Sequence, residues 1–173
     1  LTDEAISDAL KELPPEVYDL TAEEIKEKLI SRRNQLLKIS KKLYKYISKV
    51  VSIPGSNENE HFEVKRLKNG SVHVQVFNLN NKGKKKNKIY DRIFDNKVTK
   101  EIRLYGLGGK DKFDIKGKTK KSILVRVIGG YGHDKVKDKS RVSGLNRLTK
   151  VYDEKNGIKI KAKNELRNLT GRN

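Results

Sequence analysis

Apolar residues recur at helical spacing through the first fifty positions and at every second position thereafter, and that change of period divides the chain. Ile6, Leu10 and Leu13 step by three and four, Thr2 stands where a hydroxyl caps a first turn, and Asp3 and Glu4 suit its positive end. Pro14-Pro15 ends this short helix. Thr21-Ala22-Glu23-Glu24 then has the form of a capping box. Beyond it Ile25, Leu29, Leu36, Leu43, Ile47 and Val50 follow helical intervals, interrupted at Arg32-Arg33, among Lys, Glu, Asn and Ser. The spacing predicts one long amphipathic helix over residues 22–49, about 40 Å at 1.5 Å per residue. Its apolar stripe needs a cover, from the β-rich part or from a helix outside this chain.

The turn-rich run Ile53-Pro54-Gly55-Ser56-Asn57-Glu58-Asn59-Glu60 marks a boundary between a helical segment, 1–53, and a β-rich region, 54–173. Phe62, Val64 and Leu67 alternate with charges, Asn69-Gly70 supplies a hairpin turn, and Val72, Val74 and Val76 alternate with polar residues. An antiparallel hairpin with one wet face is expected. The lysine-rich run from Asn80 to Lys88 reads as a connecting loop, and Ile89-Tyr90-Asp91-Arg92-Ile93-Phe94 as the returning strand.

Two glycine-rich turns follow, Gly106-Leu107-Gly108-Gly109-Lys110-Asp111-Lys112-Phe113 and Gly129-Gly130-Tyr131-Gly132-His133-Asp134-Lys135-Val136, which superpose at an offset of 23 residues. Ahead of them Ile102-Arg103-Leu104-Tyr105 falls on Val125-Arg126-Val127-Ile128, so each copy, within residues 101–136, reads strand, glycine turn, Asp, apolar residue. Such a period suggests a chain that coils, each copy stacking on the last. Asp111 would then lie one strand spacing, about 4.8 Å, from Asp134. The segment from Lys139 to Thr149 reads as irregular. Lys150-Val151-Tyr152-Asp153, Asn156-Gly157 and Ile158-Lys159-Ile160 suit a third turn or a closing hairpin, and the tail from Lys161 to Asn173 should fray. The expected fold class is α+β, the β-rich region ending in a parallel, β-helix-like coil or a sandwich.

Composition sharpens this. Apolar residues are 34% and charged residues 36%, so the core must be economical. With 41 Lys and Arg against 22 Asp and Glu, the formal charge of +19 generates a field that draws anionic surfaces: nucleic acid, an anionic membrane or lipopolysaccharide, or an acidic neighbouring domain. Candidate anion contacts are Lys82, Lys84, Lys85, Lys86 and Lys88 in the loop, with Arg32 and Arg33 on the helix. Aromatics are only 6% and scattered, which argues against a base-stacking platform. With no Cys there is neither a disulfide nor a thiolate metal site, and no run of about 18 apolar residues spans a bilayer. The chain opens at Leu1 and holds no Met, so it reads as a piece of something larger.

Little points to catalysis. His61, His73 and His133 lie in different elements, no nucleophile elbow is present, and no carboxylate pair stands out by spacing. No cofactor is expected, with one exception to weigh. Gly129 to Lys137 satisfies the calcium nonapeptide pattern G-G-x-G-x-D-x-U-x, which makes Asp111 and Asp134 candidate calcium ligands. The other reading is that both accept backbone amide hydrogen bonds and fix their turns.

The stretch from Thr99 to Phe113, followed by Val125-Arg126-Val127-Ile128-Gly129-Gly130, resembles a region of large Gram-negative cell-envelope proteins. These join a metallophosphoesterase-like part to a surface-antigen type outer-membrane barrel. Leu1-Thr2-Asp3-Glu4 through Pro14, and Leu29-Ile30-Ser31-Arg32-Arg33-Asn34, are similar to the same region, so the resemblance covers most of the chain. It carries no catalytic motif. It implies a non-enzymatic structural or interaction module, periplasmic or outer-membrane associated, whose partners are the rest of the parent protein and an anionic surface. The alternatives are a piece of a phosphoesterase whose metal ligands lie elsewhere, and a non-specific nucleic-acid binder.

Overall fold

The computed structural model describes the chain except for residues 145, 155–156, 163–164 and 172–173. The fold is α+β, and it divides into two units, Leu1–Ile47 and the chain from Ser48 onward.

In the first unit α1 spans Asp3–Leu10, its first turn capped where Thr2 Oγ1 accepts from the Ala5 amide at 3.2 Å. The second helix, α2, spans Pro15–Ile47 and is 33 residues long, about 50 Å. It therefore starts seven residues ahead of the expected position. Proline is tolerated at the first helical position, where its missing N–H has no partner to lose. Thr21 is not a cap: inside the helix its hydroxyl donates to the Val17 carbonyl at 2.7 Å. Ile6, Leu10 and Ala22 are buried, and Arg33 ties the two helices by donating to the Leu1 carbonyl at 3.1 Å and pairing with Asp3 at 2.5 Å. Leu36, Leu43 and Ile47, on the stripe read from the sequence, are exposed.

Among the described residues the second unit holds thirteen strands: β1 Val50–Pro54, β2 Glu60–Arg66, β3 Val72–Leu79, β4 Lys85–Phe94, β5 Glu101–Leu107, β6 Lys112–Lys116, β7 Lys118–Thr119, β8 Leu124–Gly130, β9 Asp134–Asp138, β10 Arg141–Val142, β11 Thr149–Tyr152, β12 Ile158–Ala162 and β13 Leu166–Asn168. One sheet is wholly parallel, in the order β1-β5-β8-β11-β13. A six-stranded sheet has the order β12-β9-β6-β2-β3-β4, parallel up to β2 and antiparallel from there to β4. β7 and β10 form a short parallel pair. Apart from the β3–β4 hairpin and that pair, the chain enters the two larger sheets alternately.

Alternation along each strand sends one set of side chains into the core. Ile102, Leu104, Val125, Val127 and Val151 come from the five-stranded sheet; Phe62, Val64, Val74, Phe113, Ile115 and Val136 come from the six-stranded one. The 23-residue offset is realised as register, Ile102 opposite Val125 and Phe113 opposite Val136. The Phe62 and Phe113 rings stack with centroids 4.7 Å apart.

Three further readings need correcting. The lysine-rich run is not all loop, because β4 begins at Lys85; there Nζ pairs with Glu63 at 2.5 Å and sits 4.4 Å from the Phe77 ring centroid. The segment from Lys139 to Thr149 is not wholly irregular, since β10 pairs with β7. The tail does not simply fray: β13 pairs with β11, and the Glu165 carboxylate accepts from the amides of Val142 and Leu148 at 2.9 and 2.8 Å. Asn156 and the last two residues fall outside the described ones.

Candidate functional site

Each time the chain leaves the five-stranded sheet for the six-stranded one, it carries a carboxylate at or near the crossing. Glu60, Asp111 and Asp134 head or precede β2, β6 and β9, and Asp153 follows β11. Glu60 Oε2 and Oε1 accept from the Ser56 amide and hydroxyl at 3.1 and 2.5 Å. The Glu60 amide donates to Asp111 Oδ1 at 2.7 Å, and the Asp111 amide donates to Asp134 Oδ1 at 2.9 Å. The Asp111 and Asp134 side chains thus each hold the backbone of the preceding pass, and the two occupy equivalent places.

The second oxygens, Oδ2 of Asp111, Asp134 and Asp153, are buried with no hydrogen-bond partner among the described residues. Glycine makes their room. A Cβ on Gly106 would lie 2.5 Å from Asp111 Oδ2 and 2.3 Å from the Gly129 carbonyl; one on Gly129 would lie 2.6 and 2.3 Å from Asp134 and Asp153 Oδ2. Burial strips these carboxylates of water and favours the neutral acid. The Asp111 pKa is pushed up to about 8 by burial, against the Glu60 amide bond and with help from the charges of Asp134 and Glu60. Asp134 rises to about 6, again chiefly through burial, opposed by the Asp111 amide and assisted by Asp153. Asp153 is raised too, by burial first.

A calcium site needs six to eight converging oxygens. Here one oxygen of each candidate ligand is already taken by an amide, and no group of three or more His, Asp or Glu side chains among the described residues is arranged to hold a metal. The histidines do not converge: His61 pairs with Asp114 at 2.8 Å and His73 with Asp91 at 2.6 Å.

Beside Asp111 and Asp134 opens a cleft of about 550 Å³, rimmed by Lys82, Lys110, Lys112, Lys135, Lys159 and His133. Because Phe113 and Val136 face the core, their neighbours Lys112 and Lys135 face out. Register places Lys112 opposite Lys135 and Lys135 opposite Lys159, so three ammonium groups stem from adjacent strands about 4.8 Å apart. Lys112 Nζ donates to the Gly83 carbonyl at 2.9 Å, fastening the tip of the β3–β4 hairpin over one end. Lys82, Lys110, Lys135 and Lys159 form no ion pair among the described residues.

Of the lysines read from sequence, only Lys82 lines this cleft. Lys85 is paired with Glu63 and Lys88 with Asp91 at 2.5 Å, while Lys84 and Lys86 are exposed outside it. Arg32 and Arg33 lie in the other unit, and Arg33 is committed to Asp3. The row Lys112, Lys135 and Lys159 escaped the sequence reading, although the 23-residue repeat already superposes Lys112 on Lys135.

The opposite crossing, from the six-stranded sheet back, is built on Arg66, a residue the alternating pattern gave no reason to single out. It is buried. Its Nε donates to Ser140 Oγ at 3.2 Å, Nη1 to Ser122 Oγ and the Ile123 carbonyl at 2.9 and 2.8 Å, and Nη2 to the Leu148 carbonyl and Thr149 Oγ1 at 2.8 and 3.0 Å. Burial lowers its pKa, countered by the charges of Asp138 and Glu165.

Comparison of the chain with protein-family models, curated proteins and solved structures finds no match.

Proposed function

We propose that the β-rich unit is a parallel coil serving as a non-enzymatic interaction module of a larger cell-envelope protein, and that its basic cleft meets a phosphate-bearing membrane surface. The observation that carries the reading is the in-register row Lys112, Lys135 and Lys159, with Lys82 and Lys110 beside it. A row of unpaired ammonium groups on a rigid sheet concentrates positive potential without asking the chain to reorder. The envelope setting rests on the resemblance of the Thr99–Phe113 and Val125–Gly130 stretches, which implies a module that is periplasmic or outer-membrane associated.

The buried carboxylates belong to the scaffold in this reading. Asp111 and Asp134 each accept a backbone amide and so hold successive passes of backbone together.

The test is co-sedimentation with phosphatidylglycerol vesicles, with phosphatidylcholine vesicles as the neutral control. Binding should appear only on the anionic lipid and fall with salt. A lysine near such a surface contributes about 1 kcal/mol, so Lys135→Gln with Lys159→Gln should weaken binding about thirtyfold. Equal binding to both lipids, or no effect of the double substitution, would contradict the proposal. Phosphatase turnover by this chain, abolished by Asp111→Asn, would replace it with the enzymatic reading.

A further inference from the structure

The outward face of the five-stranded sheet carries a second row of cations, far from the cleft lysines in the topology because it lies on the other sheet. Ile102 and Leu104 point into the core, so Arg103 and Tyr105 point out. Register then places Arg103 opposite Arg126, Arg126 opposite Lys150, and Lys150 opposite Arg167. Four cations therefore cross β5, β8, β11 and β13 in a straight line, about 4.8 Å per step. A parallel row beside them holds Tyr105, Ile128 and Tyr152.

Glu101 organises one end of this line. Its carboxylate accepts from Arg103 Nε at 2.5 Å and from Arg126 Nε and Nη2 at 2.9 and 3.2 Å. Two guanidinium groups are thus held in fixed orientation by a single negative charge, and the row keeps a net charge of +3 (four cations less one carboxylate). Lys150 and Arg167 form no ion pair among the described residues. Two hollows lie along the face, one of about 480 Å³ at Lys150 and Arg167, the other of about 400 Å³ at Arg103, Arg126 and the two tyrosines.

We infer that this face binds an extended acidic polysaccharide, with carboxylates on successive sugars meeting Arg103, Arg126, Lys150 and Arg167. A straight, evenly spaced row of cations fits a straight, evenly spaced row of anions. Arg103 and Arg126, bonded to Glu101, contribute fixed positive charge, while the fork of Arg167, in no ion pair among the described residues, is the one that matches a carboxylate with two parallel hydrogen bonds. Single-stranded nucleic acid is the poorer fit. Base stacking needs a free aromatic face, whereas the Arg126 guanidinium lies 5.0 Å from the Tyr152 ring centroid and Nη1 donates to the Tyr152 hydroxyl at 2.5 Å.

The experiment is fluorescence anisotropy on the whole chain with labelled oligogalacturonate, its methyl ester, and oligothymidylate. Oligogalacturonate should bind, and the uncharged methyl ester should bind at least about tenfold more weakly. Lys150→Gln with Arg167→Gln should weaken the acidic probe by at least about tenfold, while Lys135→Gln with Lys159→Gln, on the other sheet, should change it by less than about twofold. Melting temperatures are read alongside. Arg167→Lys keeps the charge without the fork and should weaken binding with the melt unchanged, which separates recognition from folding. No binding of oligogalacturonate, equal loss from either pair of substitutions, or tighter binding of oligothymidylate lost in Tyr105→Ala would each overturn the inference. The vesicle result for the cleft is independent of all of these.

Discussion

The β-rich unit crosses between its sheets at two edges, and the edges bury charge in opposite ways. At one, the second oxygens of Asp111, Asp134 and Asp153 lie against glycine turns with no hydrogen-bond partner among the described residues. Burial governs there and drives the carboxyls toward the neutral acid. At the other edge Arg66 is enclosed as deeply, but its five hydrogen bonds and the charges of Asp138 and Glu165 satisfy it as a cation. The first edge makes ionisation of its carboxyls harder, most of all at Asp111. The second keeps the Arg66 charge by surrounding it with acceptors, and leaves one oxygen, Asp138 Oδ2, buried without a hydrogen-bond partner among the described residues.

The sharpest way to break this contrast is at Arg66. Arg66→Met removes the cation and leaves buried carbonyls and hydroxyls without a partner, and should cost about 3–5 kcal/mol in urea unfolding. A loss below about 1 kcal/mol, the worth of an ordinary surface contact, would mean that Arg66 is not what holds that edge. Gly106→Ala probes the other edge. Its Cβ would sit 2.3 Å from the Gly129 carbonyl and 2.5 Å from Asp111 Oδ2, and such overpacking costs about 1–3 kcal/mol. A variant as stable as the parent would show that the glycine is not needed for close approach. The smallest effect lies in the other unit: Thr2→Ala removes the cap on α1 and should cost about 1 kcal/mol of local stability, read by amide exchange in that helix.

Sequence and structure agree where local pattern decides. Valine alternation with Asn69-Gly70 marked the β2–β3 hairpin, and the repeat marked the pairing of β5 with β8 and of β6 with β9. The start of α2 was misplaced because Pro14-Pro15 reads as a stop, while the second proline is also a permitted first residue of the next helix. The tail was misread because three residues of β13 owe their order to a long-range partner, β11, and no local signal announces that. At the site, Asp111 and Asp134 were visible as a pair. The lysine row was not, since a lysine on a wet strand face looks the same alone as in a line, and only register assembles the line. Arg66 was invisible for the opposite reason: a charged residue at a strand end reads as solvated, and its acceptors come from residues 122–149.

The account rests on Asp111 as a buried acid of the scaffold, and pH tests that most directly. Its pKa is about 8 in the native state against 3.8 for an ordinary aspartate, so between those values the native state holds a proton that the unfolded chain has released. The contribution to stability is complete below about pH 4 and is lost as pH rises through 8; the corresponding loss for Asp134 ends near pH 6. Asparagine keeps an acceptor for the Glu60 amide and never ionises. The measurement is the melting temperature of Asp111→Asn minus that of the parent chain at a series of pH values. The account predicts a difference that is constant below about pH 4 and grows in favour of the variant up to about pH 8. A difference that does not change with pH, or that favours the parent more as pH rises, would contradict it.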